Sequence, residues 1–405
     1  MPDLEVVDPF SPDARDDPWP LYRSLQDRLR VFLTPDGAYV LTRYDDCVSL
    51  LRDPRSSVSA SNLSPEVLAR YQGNISDFDL PVLLFQDPPD HTRLRGLVSK
   101  AFTPRVMEGL RAHIEQLVDE MLDAVIDGGQ MDVLGDLAYP LPVTVICELL
   151  GVPVEDRDQF RPWSSAASRL LDGDLEPAVM NEGLIAVMQI LNALNQHIEE
   201  RRRQPRHDLL SALVAAEEAG DRLTHEELLA TVTLLFIAGH ETTMNLIGNG
   251  VYALLRHPDQ LARLRNDPSL TKDAIEELLR FDGPVHLTGR IPTEPLTIGE
   301  VRIPAGFQVV TLLAAANRDP ARFAHPDSLQ IDRPDNHHLT FSSGPHFCLG
   351  ATLARIEGQV ALSAMVRKLD DWTLLTAEPH YREHFVLRGL QQLEMGFTPA
   401  MSRAE

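Results

Sequence analysis

Apolar residues recur along much of the chain with the spacing of amphipathic α-helices. In several long segments they return at intervals of three and four residues, which places them on one face of a helix. The clearest examples are Arg105 to Ile126, Leu184 to Arg203 and Asp273 to Phe281. No internal repeat is visible in the sequence. The pattern therefore predicts a mainly α protein.

Short runs of β-prone residues lie near both ends of the chain. The stretch from Val31 to Leu41 predicts a hairpin, because Pro35-Asp36-Gly37 supplies turn geometry between two such runs. A second stretch, Leu296 to Val310, has turns at Gly299-Glu300 and at Pro304-Ala305-Gly306. We therefore expect small β-sheets attached to the helices.

One helix is predicted to be much longer than the others. It begins at a capping box, Thr224-His225-Glu226-Glu227, and helix-compatible sequence continues to Arg256, where His257-Pro258 stops it. Its length would be about 48 Å at 1.5 Å per residue, enough to cross the whole molecule.

The length of 405 residues exceeds that of a usual single core. No stretch rich in serine, glycine or proline is long enough to act as a hinge, so we expect one domain over residues 1–405. The three cysteines are widely separated, which fits a reducing cytosol better than a disulfide scaffold.

The segment at residues 1–9 has neither the basic nor the apolar region of a targeting signal. The longest apolar run, Leu228 to Ala238, is shorter than the roughly 18 residues that a spanning helix needs. We therefore expect a cytoplasmic protein that does not bind membranes. Acidic residues outnumber basic ones 60 to 37, a formal charge of −23, which makes nucleic acid an unfavourable partner.

The most informative stretch runs from Phe341 to Gly350 and precedes a helix-like run that starts at Ala351. Its single cysteine, Cys348, lies between two glycines that permit tight turns, just before a helix N-terminus that stabilises negative charge. Such a thiolate suits a metal, haem iron in particular. Taken alone, a single cysteine is equally well read as a small buried hydrophobe.

Three further groups carry polar chemistry. The middle of the long helix contains Ala238-Gly239-His240-Glu241-Thr242-Thr243, whose polar side chains would face solvent or the preceding turn in an ordinary helix. Glu277 and Arg280 share one helix face, as a surface salt bridge would. His91 and Arg95 also project together and could hold a carboxylate, or could belong to a solvated helix start.

The order Phe, two residues, Gly, one residue, His, one residue, Cys, one residue, Gly resembles the haem-ligand loop of the cytochrome P-450 monooxygenases. The resemblance extends over almost the whole chain, from Trp19-Pro20-Leu21-Tyr22 to Leu390. It implies haem b, iron protoporphyrin IX, with a cysteine thiolate as axial ligand. The implied cofactor-binding residues are Cys348 as metal ligand, with His91, Arg95, Ala238, Arg290, Phe341, His346 and Gly350.

The other motifs acquire roles from the same resemblance. The stretch around Gly239 resembles the oxygen-binding segment, in which the glycine lets the helix open locally, Thr242 hydrogen-bonds bound O2 and Glu241 passes protons inward. Glu277 and Arg280 resemble the buried structural pair of the family. The third partner of that pair is expected near Asn317-Arg318-Asp319-Pro320 or in Ile331-Asp332-Arg333-Pro334.

The resemblance implies a triangular prism with the long central helix over the haem. It also implies a mobile lid from Trp163 to Asn192 above an apolar substrate pocket, although each pocket residue could instead belong to the core. The pocket would be formed by Val82, Leu84, Phe85, Leu234, Leu235, Ala238, Val285, Leu287, Thr288, Leu390 and Gln391.

The implied activity is insertion of one oxygen atom from O2 into a hydrophobic small molecule: a polyketide or macrolide, terpenoid, steroid or fatty acid. No flavin, nicotinamide or iron–sulfur fingerprint is present, so a separate ferredoxin and reductase must supply electrons. The chain is expected to be a monomer. The expected ferredoxin contacts are Arg93, Lys100, Arg105 and Arg355.

Three other functions remain open from the sequence. A peroxygenase would use hydrogen peroxide, and Glu241 and Thr242 count against it because such enzymes usually lack the acid–threonine pair. A haem sensor would yield no product with O2 and a ferredoxin system. A cysteine hydrolase using Cys348 and His346 would require a colourless protein.

Overall fold

The computed structural model describes residues 4–70, 80–172, 176–218 and 223–400. Helices dominate this part of the chain, as the apolar spacing predicted. The α-helices are α1 (Trp19–Arg28), α2 (Tyr44–Arg52), α3 (Pro65–Arg70), α4 (Asp90–Val98), α5 (Pro104–Glu108), α6 (Arg111–Val125), α7 (Pro140–Leu150), α8 (Arg157–Ser168), α9 (Pro177–Arg203), α10 (Leu209–Glu218), α11 (His225–Arg256), α12 (Pro258–Asn266), α13 (Thr271–Asp282), α14 (Leu313–Ala316) and α15 (Ala351–Lys368).

The strands are short and form three sheets in the described ranges. A five-stranded sheet has the order β1-β2-β8-β5-β3, a three-stranded sheet the order β4-β10-β9, and β6 pairs with β7. The strands are β1 (Val31–Leu33), β2 (Tyr39–Leu41), β3 (Ser56–Ser57), β4 (Gln130–Asp132), β5 (Thr288–Pro292), β6 (Leu296–Ile298), β7 (Val301–Ile303), β8 (Val309–Thr311), β9 (Leu369–Leu374) and β10 (Glu394–Pro399).

The long helix α11 has the predicted bounds. The Thr224 hydroxyl accepts a hydrogen bond from the Glu227 amide, and the Glu227 carboxylate accepts one from the Thr224 amide, so the capping box is complete. The helix packs against α7, α9, α13 and α15. It is an uninterrupted α-helix through Gly239, so the local opening expected there is absent from this helix.

The first predicted hairpin is confirmed, with Val31 opposite Leu41 in an antiparallel pair. In the second region only the turn at residues 299 and 300 makes a hairpin, β6 to β7. The turn at residues 304 to 306 leads to β8, which pairs in parallel with β2 and antiparallel with β5. Both predicted turns are therefore present, but the second does not close a hairpin, because β8 pairs with strands that are distant in the sequence.

Two helix boundaries differ from the amphipathic pattern. The predicted helix from Arg105 to Ile126 is divided between α5 and α6, because Gly109 ends α5 and glycine is a poor helix former. α9 begins at Pro177, before the first periodic residue at Leu184, since proline suits the first turn of a helix. The α6 residues that face the core keep four-residue spacing: Ile114, Val118 and Leu122.

One described helix, α9, is long and apolar enough to cross a membrane by length and composition alone. The sequence-based expectation considered only the apolar run from Leu228 to Ala238 and did not identify α9 as a candidate. A single such helix is weak support for a membrane span, because core helices pass the same test. α9 packs against α8, α10 and α11.

Buried apolar side chains form three clusters. The largest lies among the long helices, including α6, α7, α11 and α15. The second lies between α2 and strands of the five-stranded sheet, and the third lies beneath α1. The main core therefore surrounds α11 and positions its middle against the segments that carry the predicted chemistry.

Candidate active site

The loop that carries Cys348 is tightly fixed. Ser342 and Gly344 have positive φ angles of 63° and 74°, so the backbone is in the left-handed region at two positions before the cysteine. A Cβ atom on Gly344 would collide with the backbone carbonyl oxygen of Leu51, which explains why glycine is needed there. The Cys348 amide donates a 2.9 Å hydrogen bond to the Phe341 carbonyl oxygen.

The Cys348 sulfur lies at the N-terminus of α15. Burial raises the pKa of the Cys348 thiol, while hydrogen bonds from the Gly350 and Ala351 amides and the charges of Arg95 and Arg355 oppose that rise. These donors and charges would stabilise a thiolate once a cation balances it. The loop thus presents a sulfur donor prepared to bind a metal.

Phe341 shields one side of this loop. Its ring is buried, and the Arg355 guanidinium carbon lies 4.5 Å from the ring centroid. Arg355 also forms a bidentate ion pair with Glu276, at 2.7 and 2.9 Å. Burial raises the pKa of Glu276, but hydrogen bonds from His338 and Arg355 outweigh it and lower the value to about 2. The Arg355 guanidinium is therefore already paired with an acid of the same chain.

Basic side chains meet beside the cysteine loop. Burial and the nearby charges of His91, Arg290 and Arg95 together lower the pKa of His346 to about 3. Asp87 is the acidic group that acts on His346 in the opposite direction. Helix α4, strand β5 and the cysteine loop thus bring four basic groups together from distant parts of the chain.

The hydrogen bonds within this basic group leave a polar atom of His91 without a partner in the described ranges, so an anionic ligand could bind there. His91 is 3% exposed, and its Nε2 atom has no hydrogen-bond partner among the described residues. Arg290 is also buried, and burial lowers its pKa to about 10. Carboxylates are the ligands that histidine and arginine bind best in such a site. The donor set therefore fits the two propionates of a haem.

A second accessible face lies on α11. In the middle of this mostly buried helix, Leu234, Ala238 and Thr242 are spaced four residues apart and remain accessible. The Thr242 hydroxyl donates a 2.9 Å hydrogen bond to the Ala238 carbonyl oxygen. The stripe is apolar except for one hydroxyl, a composition suited to a flat hydrophobic group and a small polar molecule.

Glu241 does not belong to that accessible stripe. It is 3% exposed, and its Oε2 atom accepts a 2.9 Å hydrogen bond from Arg382. Burial raises the pKa of Glu241, but the charges of Arg382 and His240 outweigh this and lower it. The carboxyl group is therefore ionised and paired. His240 is buried too, and its Nδ1 atom lies 2.7 Å from the Phe236 carbonyl oxygen.

The predicted pocket residues differ in their accessibility. Leu84 and Phe85 are 40% and 49% exposed, in a 3-10 turn that contacts α11. Leu235 and Leu390 instead pack in the main core, at 9% and 1% exposed, and their place in the pocket stays a prediction. The remaining predicted pocket residues stay at least partly accessible: Val82, Leu234, Ala238, Val285, Leu287, Thr288 and Gln391.

The predicted lid, from Trp163 to Asn192, comprises the end of α8, a 3-10 turn at Arg169–Asp172 and the start of α9. Residues 173–175 of this stretch lie outside the described residues. The described parts of this stretch pack against each other. Mobility of this lid stays a prediction.

Glu277 and Arg280 form a fully buried ion pair, with hydrogen bonds of 2.7 and 2.8 Å. Arg333, from one of the two segments suggested by the sequence, also donates to Glu277 at 2.9 Å. Arg280 in addition donates to the Asn317 carbonyl oxygen at 2.9 Å. The cluster ties α13 to the segment that leads to the cysteine loop.

Sequence reasoning missed Arg382, the partner of Glu241. The two residues are 141 positions apart, and Arg382 belongs to no recognisable motif. It missed Glu276 as well, although this acid lies beside the predicted pair on α13. Neither partner has a local sequence signal, because each ion pair forms only when distant segments pack.

A cysteine sulfur at a helix N-terminus, with histidine and arginine side chains beside it, is the donor set expected of a haem-thiolate protein. The family model described as Cytochrome P450 matches residues 178–379. Vitamin D(3) 25-hydroxylase of Pseudonocardia autotrophica is 42% identical, over 98% of this chain and 97% of that protein. The 6-deoxyerythronolide B hydroxylase of Saccharopolyspora erythraea is 39% identical, over 89% of this chain and 90% of that one.

A solved structure agrees with these relatives. A myxobacterial cytochrome P450 in complex with myristic acid is 41% identical, with a TM-score of 0.89 over 96% of this chain and 98% of that one. The chain belongs to the cytochrome P450 family. It has the fold of that family, is an oxygen-incorporating monooxygenase and binds haem with an axial cysteine thiolate.

Proposed function

We propose that Cys348 is the axial ligand of the haem. The other two cysteines, Cys47 and Cys147, are fully buried in apolar clusters. Burial raises the pKa of Cys147 to about 12 and that of Cys47 well above its ordinary value. Only Cys348, of the three, is partly accessible and receives backbone hydrogen bonds at a helix N-terminus. This contrast is the observation that carries the proposal.

His91, Arg95, Arg290 and His346 would hold the haem propionates. The unpartnered Nε2 atom of buried His91 supports this role, since a buried polar atom needs a partner. Arg95 uses one terminal nitrogen to donate a 2.6 Å hydrogen bond to the Phe347 carbonyl oxygen, which links the propionate site to the loop. When bound, haem supplies the activation of O2.

Thr242 and Glu241 would handle protons. The Thr242 hydroxyl lies on the accessible stripe of α11, where it could donate to a polar molecule next to the haem. Glu241 is the adjacent buried acid, connected to the outside through its Arg382 partner. Proton delivery by a positioned acid contributes about 10² to 10⁴ in rate. For Glu241 to take part, its ion pair must loosen.

The substrate would be a lipophilic small molecule of polyketide or macrolide, terpenoid, steroid or fatty-acid class, which is hydroxylated or epoxidised. The names of the relatives refer to vitamin D(3) and to 6-deoxyerythronolide B, and a similar structure holds myristic acid. Leu84, Phe85 and Leu234 supply accessible apolar surface in this chain. Few polar groups accompany them, so shape and apolar contact would select the substrate.

A separate ferredoxin would supply the electrons to a cytoplasmic monomer with one domain over residues 1–405. Lys100 and Arg105 are exposed beside the α4 and α5 helices and support a docking site for an acidic partner. Arg93 instead forms ion pairs with Glu227 and Asp90, so it contributes less free charge than expected.

The decisive experiment is the absorption spectrum of the reduced protein with carbon monoxide. We expect a Soret band at the long wavelength typical of thiolate ligation, and its loss in Cys348→His. The matched control is Cys147→Ala, which should keep the band because that sulfur is buried in the apolar core. A folded, haem-containing Cys348→His variant with an unaltered band would refute the assignment. Product formed with O2 and a ferredoxin system would distinguish a monooxygenase from a sensor.

A further inference from the structure

The segment from Tyr381 to Gly389 is anchored at both ends on one carboxylate. The Tyr381 hydroxyl donates a 2.7 Å hydrogen bond to Asp282 Oδ2, and Arg388 Nε donates one of 2.8 Å to Oδ1. The Arg382 amide donates to the Gly389 carbonyl oxygen at 2.8 Å, which closes the segment into a loop. We call this segment the C-terminal loop. Its ends are fixed to α13, and its middle extends toward two other elements.

On one side the C-terminal loop contacts α11. Arg382 donates to Glu241 Oε2 at 2.9 Å and, through Nη2, to Asn245 Oδ1 at 2.5 Å. Its side chain is therefore aligned along one turn of the helix. A Cβ atom on Gly389 would collide with the Asn245 side chain, so the loop backbone lies directly on α11. These contacts set the position of Arg382 relative to Glu241.

On its other side the C-terminal loop contacts the 3-10 turn that follows α8. Asp172 Oδ1 accepts hydrogen bonds from the amides of Phe385 and Val386, at 2.9 and 2.8 Å. His384 Nδ1 lies 3.2 Å from Asp172 Oδ2, and the Asp172 side chain is only 3% exposed. A buried carboxylate that accepts two backbone amides holds the backbone strongly. Asp172 thus fixes the middle of the loop to the predicted lid.

We infer that the C-terminal loop couples the position of the lid to the availability of Glu241, with Asp172 as the latch and Arg382 as a positioning residue. The inference rests on the proposed role of Glu241 as a proton donor. Phe385 and Val386 lie three and four residues after Arg382 in the same short loop. If the lid carries Asp172 away, the loop loses the contact that opposes its movement from α11.

The consequence for the chemistry follows from charge. While Arg382 holds Glu241, the carboxylate is ionised and engaged, so it has no proton to give. Once the guanidinium moves away, a buried carboxylate takes up a proton more readily because it has lost its hydrogen-bonded counter-charge. Movement of the lid would therefore decide when protons reach the site above the haem.

Other charged and titratable groups also face Glu241, and they do not replace Arg382. His240, on the same helix, has its Nε2 atom 3.9 Å from Glu241 Oε1. His384 lies farther along the C-terminal loop and acts on Glu241 through its charge, and Tyr139, just before α7, is close enough to be affected by Glu241. Among these groups, Arg382 makes the hydrogen-bonded ion pair.

The test is an infrared pH titration of the ferric holoenzyme, in which the carboxyl band that disappears in Glu241→Gln identifies Glu241. Arg382→Gln should raise the pKa of that carboxyl group, and Arg382→Lys should restore it toward the original value. Asp172→Asn should also raise it, by a smaller shift. The matched control is Glu378→Gln, an exposed acid three residues before the same loop, which should change nothing.

Hydrogen exchange of the same holoenzymes checks the latch directly. In Asp172→Asn the amides of Phe385 and Val386 should exchange roughly tenfold faster, since their acceptor loses the charge that strengthens both hydrogen bonds. Unchanged exchange would refute the latch. Faster exchange with an unshifted Glu241 carboxyl band would refute the coupling.

These results are separable from the role of Glu241 itself. If Glu241→Gln leaves the yield of product per electron unchanged, the proposed proton delivery fails, whereas the infrared and exchange data still decide whether the loop links Asp172 to Glu241. If Arg382→Gln does not retain haem, the comparison can be made with two other variants. Arg382→Lys keeps a positive charge beside Glu241, and Asp172→Asn leaves Arg382 itself unchanged.

Discussion

The imidazole rings of His91 and His346 lie against each other, with their centroids 4.1 Å apart and their planes tilted by 40°. One ring belongs to α4 and the other to the cysteine loop. Burial lowers the pKa of both histidines, and the charge of His91 adds to the lowering at His346. The contact joins the propionate site to the thiolate loop as one unit.

Replacement of His91 should weaken haem binding. His91→Phe keeps a ring against His346 but removes the unpartnered Nε2 atom. Haem should then dissociate about tenfold faster, because one hydrogen bond to a charged group is lost. Transfer of haem to apomyoglobin measures this rate. His113→Phe, a half-exposed histidine of α6 paired with Glu148, is the control and should not change it. Equal rates in both variants would argue against a propionate contact.

Removal of the Thr242 hydroxyl should divert electrons from product to hydrogen peroxide. In Thr242→Ala the accessible stripe of α11 loses its hydroxyl. Because positioned proton transfer is then lost, the yield of product per electron should fall by about tenfold or more. Thr242→Ser keeps a hydroxyl and should retain most of the coupling. Peroxide and product are measured together. Full coupling in Thr242→Ala would show that protons arrive by another route.

Neutralisation of Glu277 should be severely destabilising. Glu277→Gln leaves Arg280 and Arg333 buried without their acid, and breaking a buried pair costs about 3 to 5 kcal/mol of unfolding free energy. Urea denaturation of the holoenzyme measures it. Glu276→Gln, on the same helix but partly exposed, should cost less, about 1 to 3 kcal/mol. Similar small losses of unfolding free energy in both variants would contradict the view that the buried cluster around Glu277 stabilises the fold more than the Glu276 pair does.

Stability should fall with rising pH because of Glu357 on α15. This side chain is buried beside the Thr243 hydroxyl, and burial raises its pKa from 4.5 to about 8. Between these values the folded protein holds a proton that the unfolded chain has released. The free energy of unfolding therefore decreases by about 1.4 kcal/mol per pH unit in that window and levels off above it.

The Glu357→Gln variant isolates this contribution. A glutamine cannot ionise, so the variant should lose the decline and be more stable than the original protein above pH 8. Unfolding by urea at a series of pH values measures the difference. Parallel pH profiles for the two proteins would show that Glu357 is already ionised in the fold.

Charge reversal at Lys100 and Arg105 should slow reduction by a ferredoxin. Both side chains are exposed, unlike the internally paired Arg93 and Arg355. Lys100→Glu with Arg105→Glu should reduce the association rate about tenfold at low salt, with a smaller effect at high salt. Stopped-flow reduction measures the rate. The control is Arg302→Glu, because Arg302 is an exposed residue of β7. An equal slowing of reduction in this variant would indicate a general charge effect.

Much of this fold could be predicted from local sequence. The capping box at Thr224 and the His257-Pro258 stop fix both ends of α11, because helix termini are specified by a few neighbouring residues. The hairpin β1–β2 follows likewise from its turn. Gly344, which has a positive φ angle, and Cys348, just before α15, indicate the cysteine loop in the same way, since both features are visible in neighbouring residues.

Only the tertiary structure decided which side chains meet. Arg382 pairs with Glu241 and Asp172 holds the C-terminal loop, although 141 and more than 200 positions, respectively, separate these partners. β8 likewise pairs with a strand near the start of the chain. Such contacts carry no periodic signal, because they depend on how whole helices and sheets pack. The sequence by itself determined the cysteine loop and the long helix, whereas packing determined how the carboxylate of Glu241 is held.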